Sequence, residues 1–222
     1  MKNSILIIIL LFSSFLNAQN GTDETDKMID EMCLSFKSNE NLKDSLKIRI
    51  LNEKFIIPYL KKFSDAERKS KGDYLNFRFQ KQCEYFRGYL QKIDPPKNDN
   101  WVTLNERPNI TISENEINEF KENTNFHYFE YKGDKTKLKT ENNFWIETFS
   151  DGTHSKLSYK WIDKNKFELE FIKSNNKGRK NFSKKGDKYI YELINKENNF
   201  YWVLVYIPNQ SELLKFKLFL GN

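Results

Sequence analysis

Residues 155–171 read Ser155-Lys156-Leu157-Ser158-Tyr159-Lys160-Trp161-Ile162-Asp163-Lys164-Asn165-Lys166-Phe167-Glu168-Leu169-Glu170-Phe171. Leu157, Tyr159 and Trp161 alternate with Lys156, Ser158 and Lys160. Phe167, Leu169 and Phe171 alternate with Glu168 and Glu170. A period of two puts rings and leucines on one face and charges on the other, the pattern of half-buried strands. Asp163-Lys164-Asn165 between the runs supplies turn residues, so the stretch predicts a hairpin.

The same reading extends outward. Leu214, Phe216, Leu218 and Leu220 alternate with Lys215 and Lys217. Phe126–Tyr131, Phe144–Phe149, Tyr189–Ile194 and Phe200–Ile207 are apolar on both faces, which places them centrally or under cover. Turn residues recur at Asp151-Gly152, at Asn175-Asn176-Lys177-Gly178 and from Asn195 to Asn199. The intervals leave no room for crossover helices, which disfavours a parallel sheet. Seven short strands over 126–222 predict an antiparallel meander, curled as a bent sheet or a small barrel.

Residues 19–94 have a different period. Met28, Met32, Cys33 and Phe36 share one helical face; Leu75, Phe79, Cys83, Phe86 and Leu90 share another. Asp44 or Ser45 can cap a helix carrying Ile48, Leu51, Phe55 and Leu60, with Pro58 as a kink. Ser64 and Glu67 form a capping-box pattern, and Gly72 marks a break. Pro95-Pro96-Lys97-Asn98-Asp99-Asn100 opens a linker over 95–125. Ser113 and Glu116 predict a short helix within it. The class is therefore α+β, a helical domain followed by an antiparallel β domain.

Residues 1–18 pair a basic start at Lys2 with an apolar run, Ile5 to Phe12, and a small residue at Ala18. That is the pattern of a secretory signal peptide cleaved near Ala18, with a run too short to span a bilayer. The expectation is an exported chain, periplasmic or secreted. No cysteine stands at the cleavage point, so no lipid anchor is expected. In an oxidising compartment the only two cysteines, Cys33 and Cys83, predict one disulfide between two helices.

One order of residues resembles a known pattern. Phe120-Lys121, Phe126-His127-Tyr128, Trp145-Ile146-Glu147, Lys160-Trp161-Ile162, Phe167-Glu168-Leu169 and Lys185-Gly186-Asp187-Lys188 together resemble an uncharacterised family of small exported bacterial β proteins. In that family the segment after Trp-Ile reads Asp-Cys-Glu-Tyr. Here Asp163-Lys164-Asn165-Lys166 follows, without the cysteine. The resemblance implies a β fold and export and carries no activity.

The chain has 222 residues, 38% hydrophobic and 31% charged, with only 8 glycines and 5 prolines. That supports a packed core and excludes a fibrous or low-complexity protein. No glycine loop for phosphate and no Gly-x-Ser-x-Gly occurs. His127 and His154 have no metal-ligand spacing, so no metal and no cofactor are expected.

The net charge of +6 is concentrated in residues 126–222, which hold 18 basic against 12 acidic residues. Six basic residues fall between Lys177 and Lys188. Lys177, Arg179, Lys180, Lys184 and Lys185 are candidate anion-binding residues on a solvated loop. The aromatic excess, 15% of the chain, offers Trp145, Tyr159, Trp161 and Trp202 as candidate ligand-binding residues, with Tyr191 beside them.

Three readings follow. The first is an exported, non-enzymatic binding module using the β domain. The second is an interaction or inhibitor protein docking through the helical half. The third is an exported hydrolase using the strand carboxylates Glu147, Glu168 and Glu170. The partner expected is a small apolar ligand, an anionic surface or another exported protein, not nucleic acid.

Overall fold

The structure, a computed structural model, describes residues 20–221. The leader expected at 1–18 lies outside the described residues. The chain divides between Tyr85 and Phe86 into two compact units.

The first unit is helical: α1 (Asn20–Ser38), α2 (Asp44–Leu51), α3 (Ile57–Leu60) and α4 (Asp65–Gln82). Ile29, Met32, Phe36, Leu51, Phe55, Leu75 and Phe79 form its buried side. Cys33 and Cys83 are bonded, with Cα atoms 5.4 Å apart and a sequence separation of 50. A loop of that length removes about 4 kcal/mol of unfolded-chain entropy in the chain-entropy treatment.

Pro58 has no N–H for the Lys54 carbonyl. The helix absorbs this with a π-turn over Asn52–Ile56 just before the proline. Ser64 and Glu67 make the predicted capping box. Three expectations need correction. Gly72 breaks nothing; it lies inside α4, where a Cβ would meet the Leu60 side chain at 3.9 Å. The face running from Leu75 to Leu90 is not one helix, because Cys83 adopts φ −113°, ψ 98° and ends α4. The cap of α2 also differs: Lys43 precedes it, with no side-chain bond.

The second unit holds α5 (Glu84–Ile93) from Phe86 onward, then β1 (Trp101–Leu104), α6 (Glu114–Glu122), β2 (Asn125–Phe129), β3 (Lys135–Glu141), β4 (Phe144–Thr148), β5 (His154–Trp161), β6 (Lys166–Ser174), α7 (Lys177–Phe182), β7 (Lys188–Glu197), β8 (Phe200–Tyr206) and β9 (Leu213–Leu220). Strands β2 to β9 pair in sequence order, all antiparallel. The ring closes through Phe126↔Leu220 and His127↔Phe219. This is an eight-stranded up-and-down barrel. β1 is a ninth strand, laid along the first half of β9 through Trp101↔Phe216 to Leu104↔Leu213.

The predicted antiparallel, barrel-forming β half is thus present, with nine strands rather than seven. β3 escaped the pattern because its inward residues are Thr136, Leu138 and Thr140; two hydroxyls blur the alternation. Asn142 and Asn143, both at positive φ, make the tight β3–β4 turn. Residues 95–125, expected as a linker with a short helix, hold both β1 and α6. Residues 105–112 also run across β7. Thr111 and Ile112 donate their backbone N–H groups to Ile194 O, each at 2.9 Å, where a bulge between Leu193 and Asn195 frees that carbonyl.

Inward residues fill one end of the barrel. α6, capped by Ser113 and Glu116, places Phe120 on the axis. Its ring stacks on Phe126 at 4.8 Å and on Phe167 at 5.9 Å, and meets Tyr201 edge-on at 5.0 Å. The β2–β3, β4–β5, β6–β7 and β8–β9 connections gather at the opposite end, as a meander requires.

Candidate functional site: the upper barrel cavity

Toward that opposite end the barrel keeps a cavity of about 150 Å³. Its apolar walls come from strands that alternate inward. β4 gives Trp145, β5 Leu157, β6 Phe171, β7 Tyr191 and β9 Phe216, and β1 adds Trp101. The rings brace one another. Trp101 stacks on Phe216 at 4.6 Å, and Trp145 lies 5.6 Å from Tyr191. Trp101 Nε1 donates to Phe129 O at 2.7 Å, which holds the ring in place.

A polar cluster is set into this wall. Tyr128 Oη donates to Glu147 Oε1 at 2.9 Å and accepts from Arg179 Nη2 at 3.0 Å. Trp145 Nε1 lies 3.4 Å from the same Glu147 oxygen. Arg179 Nη2 also donates to Glu130 Oε1 at 2.8 Å, which accepts from Thr136 Oγ1 at 3.0 Å. Arg179 Nε stands 3.7 Å from Glu147 Oε2.

Arg179 arrives by way of α7, inserted between β6 and β7. The Asn176 side chain caps that helix by accepting from Arg179 N at 3.1 Å. The cap orients the first turn so that the guanidinium reaches the Tyr128–Glu147 pair. At the mouth, α5 and the β8–β9 connection contribute a second pair. Arg87 Nε donates to Glu212 Oε2 at 2.5 Å, and Arg87 Nη2 to Gln210 Oε1 at 2.6 Å.

Burial governs the protonation of these groups. It raises the Glu147 carboxyl above its ordinary range, against the pull of Arg179. It holds the Tyr128 phenol well above its ordinary range, with Glu130 and Glu147 adding to the effect. Burial also opposes the charge of Arg179, but Glu130, Tyr128 and Glu147 outweigh it, and the guanidinium stays protonated.

The predicted ligand residues separate. Trp145 lines the cavity. Tyr159 and Trp161 pack around Phe167, at 5.1 and 5.3 Å, in the filled part of the core. Trp202 points out of the barrel, because Tyr201 and Val203 on either side take the inward positions. Its Nε1 donates to Glu197 Oε1 at 3.0 Å, and Lys215 Nζ sits 4.1 Å from its ring centroid.

The basic segment is not a uniform solvated loop. Lys177, Lys180 and Lys185 are exposed, Lys184 is half-buried, and Arg179 turns inward. These five residues do not converge on one anion site. Of the strand carboxylates, Glu147 faces inward, whereas Glu168 bonds Lys188 Nζ at 3.0 Å on the outer surface.

Sequence reasoning missed Tyr128, Glu130 and Arg87 as site residues. β2 and β4 are apolar on both faces, so parity there does not say which residues turn in. Only closure of the ring does. Arg87 had no local signal at all. No protein-family model matches the chain, and no curated protein matches it. Among the described residues no group of acidic, histidine or cysteine side chains is arranged to hold a metal ion, and no helix is long and apolar enough to cross a membrane.

Proposed function

We propose that the protein is an exported, non-enzymatic binding protein that holds one small, mostly apolar molecule in the upper half of its barrel. The observation that carries this reading is the asymmetry of the barrel interior. One end is packed solid around Phe120, while the other keeps a cavity of about 150 Å³ walled by aromatic rings and carrying one buried polar cluster. A side-chain-filled barrel would need neither the space nor a buried carboxylate, Glu147, which is costly to desolvate. Eight strands make a barrel just wide enough to be filled by side chains or to hold one small ligand. An apolar cavity of about this volume accepts a single benzene-sized ring.

Export is supported by the Cys33–Cys83 bond, a feature of oxidising compartments, together with the leader pattern in residues 1–18. A binding role accords with the state of the inward carboxylate. Glu147 is held by Tyr128, Trp145 and Arg179, and the second carboxylate nearby, Glu130, is itself tied to Arg179 and Thr136.

The test is a titration of the full chain with 2-phenylethanol, read by tryptophan fluorescence, for the wild type and for Leu157→Trp. Leu157 lines the cavity, and the larger ring takes up its space. The expected outcome is saturable binding by the wild type, lost in the variant while its melting transition stays cooperative. Absence of saturable binding by the wild type, or full binding by the filled variant, would contradict the proposal.

A further inference from the structure

The two arginines that line the cavity, Arg87 and Arg179, are not equally available to its two glutamates, Glu147 and Glu212. At the mouth Arg87 and Glu212 pair and cancel. Deeper in, Arg179 alone faces two carboxylates, Glu130 at 2.8 Å and Glu147 at 3.7 Å. Glu130 Oε1 takes the short guanidinium bond and a second bond from Thr136. Glu147 receives the weaker share. Its Oε1 accepts from Tyr128 and Trp145, but its Oε2 has only the 3.7 Å contact, beyond hydrogen-bonding distance. Glu147 is 8% exposed. Glu147 thus lines the cavity with one carboxylate oxygen that receives no hydrogen bond, because Glu130, outside the lining, takes the short bond from Arg179.

The rings of Trp101, Tyr128, Trp145, Tyr191 and Phe216 line the same space. Aromatic faces attract cations, the more so where water is excluded. An anionic ligand would meet Glu147 as a like charge; an ammonium would supply the donor that its Oε2 lacks.

Resting on the reading of the cavity as a ligand site, we infer that its ligand is a small monoamine bound as the ammonium ion. The ammonium donates to Glu147 Oε2 among the aromatic rings. The apolar body, about one ring with a short tail, lies along Leu157 and Phe171. The volume admits little more than that.

Three probes of similar size test the inference by calorimetric titration of the full chain at neutral pH: 2-phenylethylamine, 2-phenylethanol and 3-phenylpropionate. The amine is expected to bind at least roughly tenfold tighter than the alcohol, the size of one hydrogen bond to a buried charge, and the acid to bind weakest. In Glu147→Gln the amine is expected to lose about that factor, with the alcohol changed less than roughly threefold.

Equal affinities for the three probes, tightest binding of the acid, or an amine preference retained by Glu147→Gln would overturn the inference while leaving the cavity as a ligand site. Failure of all three probes to bind the wild type would overturn both. The ranking of probes on the wild type needs no variant, so a Glu147→Gln chain that fails to fold leaves the test intact.

Discussion

Glu147 is the residue whose behaviour the structure constrains most tightly. Burial raises its carboxyl pKa in the folded chain, while in the unfolded chain it titrates near 4.5. The folded state therefore binds this proton more strongly. The stabilising contribution is fully present below the unfolded value and is lost as pH rises through the folded one. Glu147→Gln has no such proton to lose. Its stability relative to the wild type should rise between pH 4 and pH 7, by about 1.4 kcal/mol for each unit by which the folded pKa is raised. Denaturant melts of both proteins at the two pH values measure this. A difference that stays constant, or moves the other way, would mean that Glu147 is compensated in the folded chain.

Little of this was legible from residue types. Arg179 stands in a run of six basic residues, and no local signal separates it from Lys180 or Lys185. What separates it is the Asn176 cap, because that bond sets the first turn of α7 against the barrel mouth. Trp145 stood out by residue type alone, because β4 is apolar on both faces and only the closed ring shows that it turns in. Trp202 was misplaced because Phe200–Ile207 is apolar on both faces, and only the register Trp202↔Lys217 shows which face looks out.

Among the elements, α6 decides which half of the barrel is open. Its capping box was readable from Ser113 and Glu116, but its role was not, since its partners Phe126, Phe167 and Tyr201 are distant in sequence. Phe120 is 1% exposed and touches all three rings. Phe120→Ala should cost about 3–5 kcal/mol, the range for large aromatic truncations in a core. Urea unfolding of the second unit measures it; a loss under about 1 kcal/mol would show that α6 is not part of the core. The strands that alternate cleanly, β5, β6 and β9, were legible. β3 was not, because threonine replaces apolar residues inside the barrel. β1 was not, because Trp101–Leu104 is four residues long and follows a polar, proline-rich stretch.

At the scale of the whole molecule, the boundary between Tyr85 and Phe86 gives most of α5 to the β unit. Composition alone had placed the division at the prolines, because Pro95-Pro96 is the more conspicuous break in the sequence. A fragment of residues 86–222 should therefore unfold cooperatively on heating. A fragment of residues 101–222 lacks Arg87 and leaves Glu212 and Gln210 without its two hydrogen bonds. It should melt about 5 °C lower, from the loss of bonds to a charged group. Non-cooperative melting of the longer fragment would show that the barrel depends on the helical unit.

The central claim, that a small molecule enters the upper barrel, has its most direct test in the four tryptophan indole N–H signals of the full chain. Trp101 and Trp145 line the cavity, Trp161 packs beside Phe120 and Trp202 lies on the outer surface. With each signal assigned by a Trp→Phe substitution, 2-phenylethylamine is added and the ¹H–¹⁵N spectrum recorded. Saturable shifts of Trp101 and Trp145, with Trp161 and Trp202 unmoved, are the predicted result. Shifts confined to Trp202, or small and equal at all four positions, would contradict it.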